Sequence, residues 1–106
     1  MAEDGKFRVE KFNGQNFSLW KMQMEDYLYQ KDLYLPLGGK SKKPMDMEDE
    51  EWNLLDRKAL RAMRMCLAAS VAFNISKETT TEGLIKALEK LYEKPLASKK
   101  VFLMKR

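Results

Sequence analysis

Apolar positions recur at helical spacing along most of the chain, and the breaks between them are marked by Gly, Pro and capping residues. Phe17, Trp20, Met24, Tyr27 and Leu28 stand three or four residues apart and define one face of a first helix. Asn16 is a favourable cap for its start, Gln23, Asp26 and Gln30 lie off the apolar face, and the helix is expected to end near Lys31 or Asp32. Before it, residues 6–15 read as an extended arm with a turn at Asn13-Gly14, and Phe12 is expected to pack on the core.

The stretch from Tyr34 to Pro44 is rich in Gly and Pro and breaks helix; its first half is apolar enough to pack, and its Lys-rich half is expected to move freely. Asp46 is the expected cap of a second, longest helix, with Glu48, Asp49, Glu50 and Glu51 complementing the dipole of its first turn. Trp52, Leu55, Ala59, Met63 and Cys66 form its apolar stripe, and Arg57, Arg61 and Arg64 fall opposite. The pattern predicts that this helix runs to about Ala72, with a break near Ala69-Ser70, and that Phe73 and Ile75 are buried at its exit.

Thr79 and Glu82 match a T-x-x-E capping box for a third helix, whose stripe is Leu84, Ala87, Leu88 and Leu91 and which ends by Pro95. A fourth helix is expected from Ala97 or Ser98, with Ala97, Val101 and Met104 on one face; no C-cap follows Arg106, so the sequence reads as cut inside that helix. The expected fold class is therefore all-α: a small bundle of four to five helices, with an arm at 1–15 and a helical domain at 16–106.

Composition narrows the chemistry. A chain of 106 residues suffices for one core. It has one cysteine and no histidine, which removes the commonest general base and the Cys/His sets of zinc sites. Cys66 lies in an apolar helical pattern and is expected to be a buried, inert thiol. No apolar run approaches the roughly 18–20 residues that span a bilayer, and the acidic start Met1–Gly5 does not resemble a secretory signal. Neither catalytic residues nor a cofactor, metal, small-molecule substrate or membrane partner is expected.

The net charge of +4 is uneven: residues 86–106 carry +5 and residues 1–85 carry −1. Two basic groups could touch RNA phosphates, the loop Lys40, Lys42 and Lys43 and the stripe Arg57, Arg61 and Arg64. The simpler reading is a solvated face with the arginines paired to nearby acids, because aromatic interleaving is sparse. Gly38-Gly39-Lys40-Ser41 lacks the spacing of a phosphate loop, and the acids at 48–51 diverge around their helix.

Surplus apolar positions are more informative. Leu19, Met22 and Tyr29 share a second, narrower strip on the first helix, off its main face. Ile85 and Tyr92 flank the stripe of the third helix, and Phe102 and Leu103 flank that of the last. Such strips fit either other helices of the same fold or another subunit. Trp20 and Trp52, on the main stripes, are expected to be core.

One segment resembles a known family. Lys11-Phe12-Asn13-Gly14-Gln15-Asn16-Phe17-Ser18-Leu19-Trp20-Lys21, followed by Met24-Glu25 and Leu28, is similar to the opening of copia-type Gag proteins, which reads roughly F-x-G-x-N-[FY]-x-x-W-K and then M-E and a Leu. The similarity continues through Trp52, Asp56, Ala59 and Leu67, then Leu88-Glu89-Lys90-Leu91-Tyr92, Ser98, Lys100 and Leu103. The resemblance implies a fold like the N-terminal domain of retroviral capsid proteins and a non-enzymatic role. It further implies homo-oligomeric assembly into cytoplasmic virus-like particles that enclose element RNA, with the RNA held through a zinc knuckle absent from this chain. A domesticated Gag-like adaptor that binds another protein, and a small helical nucleic-acid-binding module, are the alternatives from other classes.

Overall fold

A computed structural model describes residues 9–93. Within them lie four α-helices: α1 (Phe17–Gln30), α2 (Asp49–Met65), α3 (Ala69–Asn74) and α4 (Thr81–Tyr92). Two 3₁₀ turns, Leu35–Gly38 and Lys40–Lys42, occupy the Gly/Pro connector between α1 and α2. The all-α expectation holds. The expected fourth helix after Ala97, with Phe102 and Leu103, and the arm residue Phe7 lie outside the described residues.

α2 is the central element; it packs against α1, α4 and the first 3₁₀ turn, and α4 packs against that same turn. The core joins Phe12, Phe17, Trp20, Met24 and Leu28 to Ala59, Leu60, Met63, Leu67, Val71, Ile75, Leu84, Ile85 and Leu88. Burying such side chains contributes about 1.5–3 kcal/mol each.

The arm enters this core through Phe12. Its N–H donates to the Cys66 carbonyl at 2.8 Å, and its own carbonyl accepts from Ala68 N–H at 2.9 Å, a single parallel bridge to Leu67. The Trp20 indole Nε1 donates to the same Cys66 carbonyl at 3.2 Å. The Phe12 ring meets Phe17, Trp20 and Tyr92 at centroid distances of 5.4, 5.3 and 5.0 Å. Between arm and helix the chain turns sharply: Asn13 Oδ1 accepts from Gln15 N–H, Gly14 has φ 105° and Asn16 has φ 57°. Gly and Asn are the residues that tolerate those left-handed conformations. Asn16 precedes α1 as expected, yet its side chain makes no capping bond; its backbone conformation is what the position requires.

α1 ends in a Schellman motif. Leu33 N–H donates to Leu28 O and Asp32 N–H to Tyr29 O, with Asp32 at φ 61° in the position usually held by Gly. The cap of α2 is Glu48 rather than Asp46, in a capping box with Glu51, whose Oε1 accepts from Glu48 N–H at 3.1 Å. α2 stops at Met65, short of the expected 72, because residues 66–68 turn outward to bond the arm; α3 follows as a separate short helix.

The start of α4 is clamped to the middle of α2. Thr81 N–H donates to Asp56 Oδ1 and Thr81 Oγ1 to the Asp56 carbonyl, both at 2.9 Å, and Thr81 is fully buried. This clamp sets the register of the helix, so Thr80, not Thr79, is the cap: its Oγ1 accepts from Gly83 N–H at 3.0 Å. Glu82 instead pairs with Lys86 at 3.2 Å, and the expected Thr79–Glu82 box does not form. Lys21 ties α1 to α4 through Glu89 at 2.8 Å, and that hydrogen-bonded carboxylate holds the ammonium above its ordinary range.

If Phe12 is the hub, Phe12→Ala should cost about 3–5 kcal/mol in urea unfolding, in line with other buried Phe truncations. A loss below about 1 kcal/mol would show that the arm is dispensable.

Candidate interaction faces

The residues expected to mark a contact surface divide into two groups. Leu19, Met22 and Tyr29 project from α1 away from the core, at 50, 53 and 62% exposure. On a helix these positions fall on one ridge with Asp26, and the buried set Phe17, Trp20, Met24 and Leu28 lies opposite. Tyr29 is steadied by Tyr34, ring to ring at 4.9 Å.

Ile85 and Tyr92 are different. Ile85 is 6% exposed and belongs to the core, so it is not a contact residue. Tyr92 is half-buried, with its ring edge-on to Phe12 and its hydroxyl accepting from Asn74 Nδ2 at 3.3 Å. Leu91, expected in the core, is exposed instead. The Asp56 clamp and the Tyr92–Phe12 contact rotate α4 so that positions 85 and 92 face inward and 91 faces out. Phe73 is likewise exposed, at 79%, where burial was expected, while Ile75 is buried as expected. The sequence reading also missed exposed Leu54 and Met65 on α2, which sit beside its basic stripe.

The basic groups are not one patch. Lys40 and Lys43 both approach Asp49, at 3.8 and 3.6 Å, and Lys43 Nζ also donates to the Met47 carbonyl at 2.7 Å. The Lys-rich segment is thereby held against the start of α2 in a 3₁₀ turn, contrary to the expectation of free movement. Lys42 is exposed and its stem packs beside Gly38. Gly39, at φ 89°, lies so close to α4 that a Cβ there would stand 2.5 Å from Glu82 Oε1. A carboxylate at that point opposes phosphate binding, consistent with discounting the Gly-Gly-Lys-Ser string. Arg57, Arg61 and Arg64 are exposed on the outer side of α2, and Arg64 Nη2 donates to the Glu78 carbonyl at 2.9 Å. Among the described residues Arg57 and Arg61 meet no acid within ion-pair distance, so the expected pairing of the arginines is not seen.

Candidate chemistry is sparse. A shallow groove is lined by Pro36, Gly39, Lys40, Trp52, Asn53, Asp56, Thr80 and Glu82. Trp52 is buried there as expected, and the polar anchors of the groove are already engaged, Asp56 with Thr81 and Glu82 with Lys86. Cys66 is half-buried rather than buried; burial pushes its thiol upward, against a smaller opposing pull from Lys11. A thiol so shifted is a poor nucleophile at neutral pH. Among the described residues no cluster of His, Cys, Asp and Glu is arranged to hold a metal ion, and no helix is long and apolar enough to cross a membrane.

The two faces of the helices predict opposite mutational outcomes. Ile85→Ser should lower the thermal midpoint sharply, and Leu19→Ser should leave stability within about 0.5 kcal/mol. Equal losses in a melting experiment would contradict the assignment of core and outer faces.

No protein-family model matches the chain, and no solved structure matches it. A curated protein does: the Retrovirus-related Pol polyprotein from transposon TNT 1-94 of Nicotiana tabacum, 42% identical over 101 residues. The match covers 94% of this chain and 8% of that polyprotein, so the chain spans less than a tenth of its relative's length. By that likeness, the chain is a retrotransposon-related sequence.

Proposed function

We propose that this chain is the N-terminal capsid segment of a copia-type Gag protein and that its copies associate through outward helix faces. The observation that carries the reading is the 42% identity to a transposon polyprotein across 94% of the chain. The matching stretch belongs to the N-terminal part of that polyprotein, where the resemblance to Gag proteins leads one to expect a structural, non-catalytic region. The exposed ridge of Leu19, Met22 and Tyr29 supports association, because a small monomer has no structural use for a second apolar strip on a helix that already has a buried face. In this reading the segment is a building block of cytoplasmic virus-like particles. Element RNA is enclosed by the assembly and held by other parts of the polyprotein.

Sedimentation velocity over a wide concentration range tests the proposal. The chain should associate with rising concentration, and Leu19→Ser/Met22→Ser/Tyr29→Ser should weaken association at least about tenfold, roughly 1.4 kcal/mol, with an unchanged melting midpoint. A strict monomer up to millimolar concentration, or a triple variant that associates like the parent, would contradict it.

A further inference from the structure

The outer faces of α1 and α2 differ in charge in a way that fits one to the other. On α1, the ridge of Leu19, Met22 and Tyr29 is interrupted by Asp26 and bordered by Glu25, both exposed. On α2, Leu54, Lys58, Arg61 and Met65 follow at four-, three- and four-residue steps and form a ridge opposite the buried Trp52, Ala59, Leu60 and Met63. Arg57 borders it, and Leu54 and Met65 are 51 and 74% exposed. Over Leu54–Met65 the α2 face is apolar with basic charges, the acid Glu50 lying one turn earlier on the same side, and the α1 face over Leu19–Tyr29 is apolar with acidic charges. Among the described residues Asp26, Arg57, Lys58 and Arg61 have no opposite charge within ion-pair distance. The inner cation of α1, Lys21, is already taken by Glu89 and Glu93.

We propose that the α1 outer face of one copy docks on the α2 outer face of a second copy. The inference rests on the self-association reading above and specifies its geometry. Like faces do not pair well, since Asp26 would meet Asp26 and Arg61 would meet Arg61 across a two-fold axis. Unlike faces bring Leu19, Met22 and Tyr29 against Leu54 and Met65 while Asp26 and Glu25 meet Arg57, Lys58 and Arg61. Such a contact is head-to-tail: the dimer keeps one free face of each kind, α2 on one copy and α1 on the other, so association continues past the dimer into a ring or an extended array. Complementary charge sets partner orientation and encounter rate more than final affinity. The basic ridge offers no exposed aromatic ring for stacking nucleic-acid bases, since its flanking apolar residues are Leu54 and Met65. A second copy therefore fits it better than a single strand of RNA.

A charge-swap pair tests the geometry in the full chain at low ionic strength, where exposed charges are least screened. The first variant is Glu25→Gln/Asp26→Lys, with Gln chosen at 25 because that position lies one turn from Lys21. The second is Arg57→Glu/Arg61→Glu. Each alone should associate at least about tenfold more weakly than the parent, and their equimolar mixture should recover to within about threefold, as alternating copies now present unlike charges. Melting midpoints and circular dichroism verify that both variants are folded. Either variant associating like the parent, or a mixture that stays dissociated, overturns the α1-to-α2 contact while leaving self-association standing. A parent chain that is monomeric throughout overturns both. Loss of salt-dependent binding to a random single-stranded RNA in the second variant, with association unchanged, would assign the basic ridge to RNA instead.

Discussion

The carbonyl of Cys66 is the joint on which the fold depends. A carbonyl at a helix end has no partner within its own helix, and this one accepts from two distant donors, Phe12 N–H and Trp20 Nε1. The first brings the arm across the end of α2, and the second draws α1 to the same point. Once Phe12 is held there, its ring organises Phe17, Trp20 and Tyr92 around it, so arm, α1 and α4 share one aromatic cluster. Aromatic pairs of this kind add about 0.5–1.5 kcal/mol beyond the area they bury. The Asp56–Thr81 clamp then fixes α4 on the other flank of α2.

That arrangement explains which features could be read from the sequence. The helical stripe of α1 is local, and Phe17, Trp20, Met24 and Leu28 are all buried where its spacing places them. The segment from Phe12 to Trp20 that carries the resemblance to Gag proteins turns out to be architectural: a hub ring, two left-handed backbone positions and two aromatic packers. The misreadings arise where a distant residue overrides a local pattern. Nothing between Cys66 and Ala68 is Gly or Pro, so only the arm, more than fifty residues earlier in the chain, explains why α2 stops there. Thr79 and Thr80 are equivalent as letters; the Asp56 clamp selects Thr80. Ile85 replaces Leu91 in the core because α4 is rotated by its contacts at both ends.

The proposed association rests on the division of labour within each helix. α1 and α2 each spend one face on the core, and each retains an outer face of exposed apolar residues and of charges with no ion-pair partner among the described residues. The outer residues of α1 were visible in the sequence as surplus positions. Those of α2 were not, because Leu54 and Met65 adjoin Leu55 and Cys66 of the apolar stripe and separate from it only when the helix places them in one ridge. The Lys-rich connector, by contrast, looked like a free basic loop and is instead held to Asp49.

Native-state hydrogen exchange at two amides tests the central claim most directly. The Phe12 N–H bonded to Cys66 O and the Ala68 N–H bonded to Phe12 O should exchange as slowly as the α2 amides of Leu60 and Met63, opening only when the whole domain unfolds. Exchange as fast as that of an exposed loop amide such as Lys77 would show that the arm detaches on its own, and that the fold does not depend on it.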